Sequence, residues 1–184
     1  MEKSKRPDLT EIREQLNAFK GVEKREFLHC KSLPAGVPRG VLCEVIGSAR
    51  TEWIIHLLRQ NPQLRTFWVE EELTILPTAI HQRGVDLSHV LMAEAGDRLF
   101  QTLRKALRSR LFDCVVLPGA IEEIKMLKAL QLFARESHAA VFFLSAVEKQ
   151  AWAIPFQLSA TWNADLSGYT VQVIKSKVSR LERS

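Results

Sequence analysis

The chain has 184 residues, of which 46% are hydrophobic and 26% are charged, and its formal net charge is +5. This composition suffices for one hydrophobic core, and the length favours a single domain. No stretch approaches about 18 uninterrupted apolar residues, and the first residues contain no apolar segment, so the sequence predicts neither a membrane span nor a signal peptide. We therefore expect a cytoplasmic protein.

The first predicted element is a helix at residues 8–20, which Gly21 ends. Its apolar residues recur every three or four positions and form a narrow stripe, closer to the seam of paired helices than to the broad face of a core helix. The stripe residues are Leu9, Ile12, Leu16 and Phe19. We expect this helix to bind a second protomer or a protein partner, and packing on its own domain is the alternative.

After a polar connection at residues 21–36, strand-like apolar runs alternate with helical patterns. The predicted strands are 41–46, 66–70, 89–94, 112–118 and 139–146, and helices are predicted directly after Gly47 and at 72–83, 96–110 and 120–138. Short apolar strands separated by helices are typical of a parallel sheet covered on both faces. Residues 156–177 alternate apolar and polar side chains and predict an antiparallel hairpin.

The cysteines and histidines have no metal-ligand spacing. Cys43 and Cys114 lie in apolar strand-like runs, and with Cys30 they predict buried, reduced thiols. The five histidines are scattered along the chain. We assign no metal and no cofactor.

Four stretches, in this order, resemble the core domain of the RecA recombinase family, and more narrowly the ImuA family of RecA-like accessory proteins in bacterial mutagenic repair. They are GVPRGVLCEVIG at 36–47, GVDLSHVLMAE at 84–94, FDCVVL at 112–117 and VQVIKSK at 171–177. The resemblance implies a RecA-like α/β fold: a mostly parallel sheet with helices on both faces, an antiparallel C-terminal hairpin and an N-terminal helix. We divide the chain into an N-terminal helix and linker (1–35), a RecA-like core (36–178) and a basic tail (179–184).

The phosphate loop of that family is degenerate in this chain. A working loop reads Gly-x-x-x-x-Gly-Lys-[Ser/Thr], because its backbone N–H groups surround the phosphates and its lysine neutralises them. The corresponding residues here are Gly47, Ser48, Ala49, Arg50 and Thr51, without the second glycine or the lysine. We expect no ATP binding at this loop.

The other parts of the family's nucleotide site also differ. Pro118 stands where the family has an acid that orders magnesium, and proline offers no side-chain oxygen. Glu70, Glu71 and Glu72 lie near the family's catalytic glutamate, but a charged helix N-terminus explains them equally well. These departures from the family pattern predict a protein that is not an enzyme.

Basic residues are concentrated at both ends of the chain and on one predicted helix, where "RKALRSR" at 104–110 has four cations and no acid. Such clusters suit weak, non-specific DNA binding, and a solvated face is the alternative. The candidate residues are Arg104, Lys105, Arg108, Arg110, Lys175 and Lys177.

Three functions follow from these observations. The first is an inactive scaffold of the SOS-type DNA-damage response, which by resemblance to ImuA would dock a polymerase-like translesion protein. The second is a SulA-like inhibitor of cell division, because that family also resembles a RecA core without its phosphate loop. The third is a nucleotide-dependent enzyme with an aberrant loop. The long N-terminal helix and the fuller match at 36–47 favour the first.

Overall fold

Nine strands form two sheets in the computed structural model, which describes residues 26–119, 121, 123–146 and 154–177. The strands are β1 (Phe27–Leu28), β2 (Val37–Pro38), β3 (Leu42–Ile46), β4 (Thr66–Glu70), β5 (Val90–Glu94), β6 (Cys114–Pro118), β7 (Ala140–Leu144), β8 (Phe156–Trp162) and β9 (Tyr169–Ser176). β1 and β2 form a small antiparallel pair. The other seven form one sheet in the order β5-β4-β6-β7-β3-β8-β9, in which the described pairings are parallel except β8 with β9.

Helices cover both faces of the large sheet. α1 (Arg50–Gln60) and α2 (Pro77–Gln82) pack on one face, and α3 (Leu99–Ser109) and α4 (Ile124–Ser137) pack on the other. Because each face is covered, all five residues of β4 and all five of β7 are buried. No helix in the described ranges is long and apolar enough to cross a membrane.

The predicted fold class is confirmed: a mostly parallel sheet with helices on both faces ends in an antiparallel hairpin. The prediction of a helix at 72–83 was wrong in its first half, because α2 begins only at Pro77. Proline is favoured at the first position of a helix, where its missing N–H costs nothing. The predicted helix at residues 8–20 lies outside the described residues.

The connection before β3 contributes to the core. Leu28, Cys30 and Leu33 are buried in the same cluster as α1, although their segment reads as a polar linker in the sequence. The prediction of buried, reduced thiols is confirmed, since Cys30, Cys43 and Cys114 are all buried and free. Burial raises the pKa of Cys43 well above its ordinary value and that of Cys114 to about 12.

Asp113 joins several segments at the amino edge of the sheet. Its carboxylate accepts hydrogen bonds from Arg65 Nε at 3.0 Å and from Arg39 Nη2 at 2.8 Å. Arg39 Nε also donates to the His138 carbonyl oxygen at 3.0 Å. Burial raises the pKa of Asp113, but the hydrogen bonds and charge of Arg65 and the charge of Arg39 outweigh this effect and hold the pKa below its ordinary value.

We expect Asp113→Asn to lower the free energy of unfolding at pH 7 by about 1.5 to 3 kcal/mol, the usual range for a hydrogen bond to a charged group. A depressed pKa stabilises the fold above the unfolded value of about 3.9, and this contribution is lost as pH falls through the folded value. The difference from wild type should therefore shrink at acidic pH. Urea unfolding at neutral and acidic pH, with the exposed Asp97→Asn as control, measures it. An equal loss at both pH values would contradict the ionic account.

Candidate functional site

The candidate site lies at the carboxyl edge of the parallel strands, where ligands bind in open α/β sheets. The turn after β3 reaches this edge between the ends of β7 and β8, which are the two neighbours of β3. β3 and β8 are also joined inside the sheet, where Gln157 Nε2 donates to Glu44 Oε2 at 2.6 Å and both side chains are buried. The turn after β3 therefore begins from a strand that is held firmly to β8.

The turn itself lies against β8. The Ala49 N–H donates to the Ala160 carbonyl oxygen at 2.9 Å, and the Trp162 N–H donates to Ser48 Oγ at 3.1 Å. Gly47 has a φ of +97°, and a Cβ there would lie 2.3 Å from the Ala160 oxygen. Only glycine fits both this conformation and this distance.

Arg50 and Thr51, the last two residues of the degenerate phosphate loop, belong to the first turn of α1. Arg50 Nη1 turns back and donates to the Gly47 carbonyl oxygen at 2.9 Å. Thr51 is partly buried and lines a cleft beside α2. The turn thus has three residues between β3 and α1, and the charged side chain of Arg50 at the start of α1 is hydrogen-bonded to the backbone of the turn.

The end of β6, where the resembled family carries a metal-ordering acid, has no carboxylate. Pro118 is the last residue of this strand, and Gly119 follows with a φ of +100°. The Gly119 N–H donates to the Leu144 carbonyl oxygen of β7 at 3.2 Å. No group of three or more His, Cys, Asp or Glu side chains in the described part of the chain could hold a metal ion.

Glu70 is not at a helix N-terminus, which corrects the alternative offered for the three glutamates. It ends β4 and is buried, and its carboxylate accepts from Trp68 Nε1 at 2.7 Å and from the Thr74 N–H at 2.7 Å and Oγ1 at 2.6 Å. Glu71 and Glu72 are exposed in the loop before α2. Glu70 therefore holds this loop against the end of β4.

An open cleft of about 300 Å³ lies between α1, α2 and the end of β8. Glu52 on its wall forms an ion pair with Arg83, and its carboxylate lies 3.2 Å from His56 Nε2. His56 Nδ1 is 2.6 Å from the Tyr169 hydroxyl, and burial, with the nearby charge of Arg59, lowers the His56 pKa. Sequence reasoning missed this cluster. Only the four-residue spacing of Glu52 and His56 indicates it in the sequence.

The candidate DNA-binding residues fall into two separate groups. Arg104, Lys105 and Arg108 are exposed on α3, and Arg110 is the left-handed residue that ends it. Lys177 follows β9 and is exposed, and Lys175 on β9 is half-buried. α3 packs on β4 and β6. β9 is four strand spacings beyond β6, about 19 Å across the sheet. The structure does not bring the two groups together.

The group on α3 is the better candidate. Within the ranges that the structure describes, Arg104, Lys105 and Arg108 form no ion pair, and Arg108 lies 6.0 Å from the centre of the Phe133 ring. Arg104 and Arg108 are one helical turn apart, about 6 Å along the axis. Two cations at this spacing can contact phosphates of one nucleic-acid strand. DNA binding remains a prediction.

The candidate partner-binding residues Leu9, Ile12, Leu16 and Phe19 lie outside the described residues. The comparisons with known proteins add no assignment. No protein-family model matches the chain, and no curated protein is significantly similar to it.

We expect Gly47→Ala to lower the free energy of unfolding by more than the roughly 1 kcal/mol of an ordinary glycine substitution, because the added Cβ collides with the backbone of β8. Gly119→Ala is the matched control. Gly119 also has a positive φ, but no atom of the described part of the chain lies within 4 Å of its Cβ position. Thermal unfolding compares the two. Equal losses would mean that the contact with β8 is unimportant.

We expect the double variant Arg104→Glu/Arg108→Glu to weaken binding to single-stranded DNA at low salt. Loss of two phosphate contacts should also reduce the slope of log affinity against log salt by about 1.4. Fluorescence anisotropy with a labelled oligonucleotide measures both.

Two controls carry the same change of net charge. Lys31→Glu/Arg59→Glu places the new negative charges on the face of the sheet that α1 covers. It should leave the affinity for DNA and its salt dependence as in wild type. Lys175→Glu/Lys177→Glu tests the second group. If only this last variant weakens binding, α3 is excluded and β9 carries the contact.

Proposed function

We propose that the chain is a catalytically inactive, RecA-like scaffold that acts in the cytoplasm during an SOS-type DNA-damage response and docks an error-prone translesion polymerase. One observation carries the inactive part of this proposal: the backbone of the shortened turn is hydrogen-bonded to β8 through the Ala49 N–H. A phosphate site needs such groups to point at the anion. The biological process comes from the resemblance of the four stretches to ImuA.

Three further features support an inactive site. The positive charge of Arg50 is turned back onto the Gly47 carbonyl. The end of β6 is Pro118, which cannot order a metal ion through a side chain. The buried carboxylate of Glu70 accepts three hydrogen bonds from its own loop and strand. At these three positions a bound nucleotide would therefore find no lysine, no metal-ordering acid and, in Glu70, a carboxylate that is already buried and hydrogen-bonded.

We expect neither ATP hydrolysis nor Mg-ATP binding. Thermal-shift titration provides the measurement, because a site with a dissociation constant near 100 μM would add about 2.7 kcal/mol of stability at 100 times that concentration. Magnesium-dependent stabilisation that disappears in Thr51→Ala would establish a nucleotide site and refute the inactive scaffold. Stabilisation that remains in Thr51→Ala would place the nucleotide elsewhere, and the inactive turn would stand.

The docking part of the proposal is tested by capture of a purified translesion polymerase from the same organism. We expect Leu16→Asp to abolish capture, because it places a charge in the apolar stripe of residues 8–20, and we expect the matched Gln15→Asp, next to that stripe, to retain it. Capture that is unaffected by Leu16→Asp would assign the partner surface elsewhere.

Phenotypes of the host distinguish the SulA-like alternative from the proposed scaffold. A scaffold of mutagenic repair predicts that deletion lowers damage-induced mutation frequency. Overexpression should then leave cell length unchanged. Filamentation on overexpression, with normal mutagenesis in the deletion strain, would instead support an inhibitor of cell division.

A further inference from the structure

β9 is an open edge of the large sheet. It is last in the strand order, and within the described residues no strand pairs with its outer side. Its pairing with β8 is regular over residues 169–173 and is interrupted by a bulge between Val173 and Lys175. The straight segment contains no proline and no charge, two of the features that keep edge strands from pairing. Val173 is 37% exposed at the end of this segment.

The outward backbone groups of this segment follow from its pairing with β8. The Asn163 N–H donates to the Gly168 carbonyl oxygen at 2.8 Å, so these two residues form a hydrogen-bonded pair. Such pairs alternate along an antiparallel ladder. Thr170 and Gln172 therefore direct their backbone groups towards β8. Tyr169, Val171 and Val173 direct theirs away from it, and these groups can bind another strand.

We propose that β9 pairs antiparallel with β9 of a second copy of this chain, about a two-fold axis at Val171, so that the two large sheets become continuous. In this register Tyr169 of one copy lies beside Val173 of the other, an aromatic and β-branched pair of the kind that stabilises antiparallel strands. Thr170 lies beside Gln172 on the opposite face. The hydrogen-bonding groups and the side chains of the segment are thus complementary to themselves.

The charges at the two ends of β9 suit a second copy in the same way. Lys177 is exposed just beyond the strand, and Asp165 is exposed in the turn before it. Ser167 donates to the Asp165 carboxylate, and these hydrogen bonds lower the Asp165 pKa, which keeps it ionised. Antiparallel pairing about Val171 directs the end of β9 that carries Lys177 towards the turn of the other copy that carries Asp165. No like charges face each other along the paired segment.

Cross-linking of the full-length chain tests this register. Thr170 and Gln172 are exposed and would form a pair without mutual hydrogen bonds, with Cα atoms about 4.5 Å apart, within the range that a disulfide can bridge. A mixture of Thr170→Cys and Gln172→Cys should give a disulfide-linked dimer under mild oxidation as its main product. The native cysteines do not compete, because all three are buried.

The matched control mixes Thr161→Cys with Gln172→Cys. Thr161 is exposed on β8, where it pairs with Thr170 of β9. It lies one strand further from the proposed interface, so this mixture should stay monomeric. Leu91→Cys tests the other sheet edge, where Leu91 of β5 is 55% exposed. Cross-linking through Leu91, or equally strong cross-linking in the Thr161 mixture, would overturn the proposal.

Sedimentation velocity provides an independent test. Wild type should show a concentration-dependent dimer, and Val173→Pro should raise its dissociation constant at least about tenfold with little change in melting temperature. Proline here removes an outward N–H and leaves the hydrogen bonds to β8 intact. If Val173→Pro unfolds, Val173→Lys replaces it, because an edge lysine opposes pairing without altering the backbone. A wild-type chain that is monomeric at every concentration overturns the proposal.

Discussion

The contact between the turn after β3 and strand β8 determines both the path of the chain and the chemistry of the candidate site. Gly47 permits it, because any side chain at this position would collide with the Ala160 carbonyl. The Ala49 N–H then bonds to the same carbonyl, and α1 starts at the next residue. A backbone N–H that is committed to a strand is not available to an anion. The same hydrogen bond therefore orients α1 and leaves the Ala49 N–H unavailable to a ligand at this edge of the sheet.

The sheet could be predicted because its central strands are buried on both sides. Such a strand is mostly apolar: β7 is apolar throughout, and β4 has the apolar run Phe67, Trp68 and Val69 at its centre, so both are visible without any knowledge of their neighbours. Burial on both sides could not reveal that residues 72–76, the first half of the helix predicted at 72–83, form a loop. Its apolar residues have helical spacing, but the Glu70 carboxylate binds the Thr74 N–H and hydroxyl, which holds this segment as a loop. That interaction depends on burial of Glu70, which no local pattern indicates.

The candidate site, too, could be predicted only in part. The missing glycine and lysine are read directly from the sequence, and so is Pro118. The geometry that accompanies these losses depends on contacts between distant segments: Ala49 with Ala160, and His56 with Tyr169. Both partners come from the C-terminal hairpin, more than a hundred residues further along the chain. The two basic groups share a composition in the sequence, and only the strand order reveals that a large part of the sheet lies between them.

The short turn after β3 and the firmly held C-terminal hairpin depend on the same contact. A longer loop would move Ser48 and Ala49 away from β8, and their hydrogen bonds to Trp162 and Ala160 would be lost. Those bonds lie at the end of the hairpin where β8 turns into β9, beside the ring contact between Trp162 and Tyr169. The short turn thus fixes β8, the strand that precedes the open edge. Because β9 is held by its ladder to β8, the position of the open edge depends on this turn.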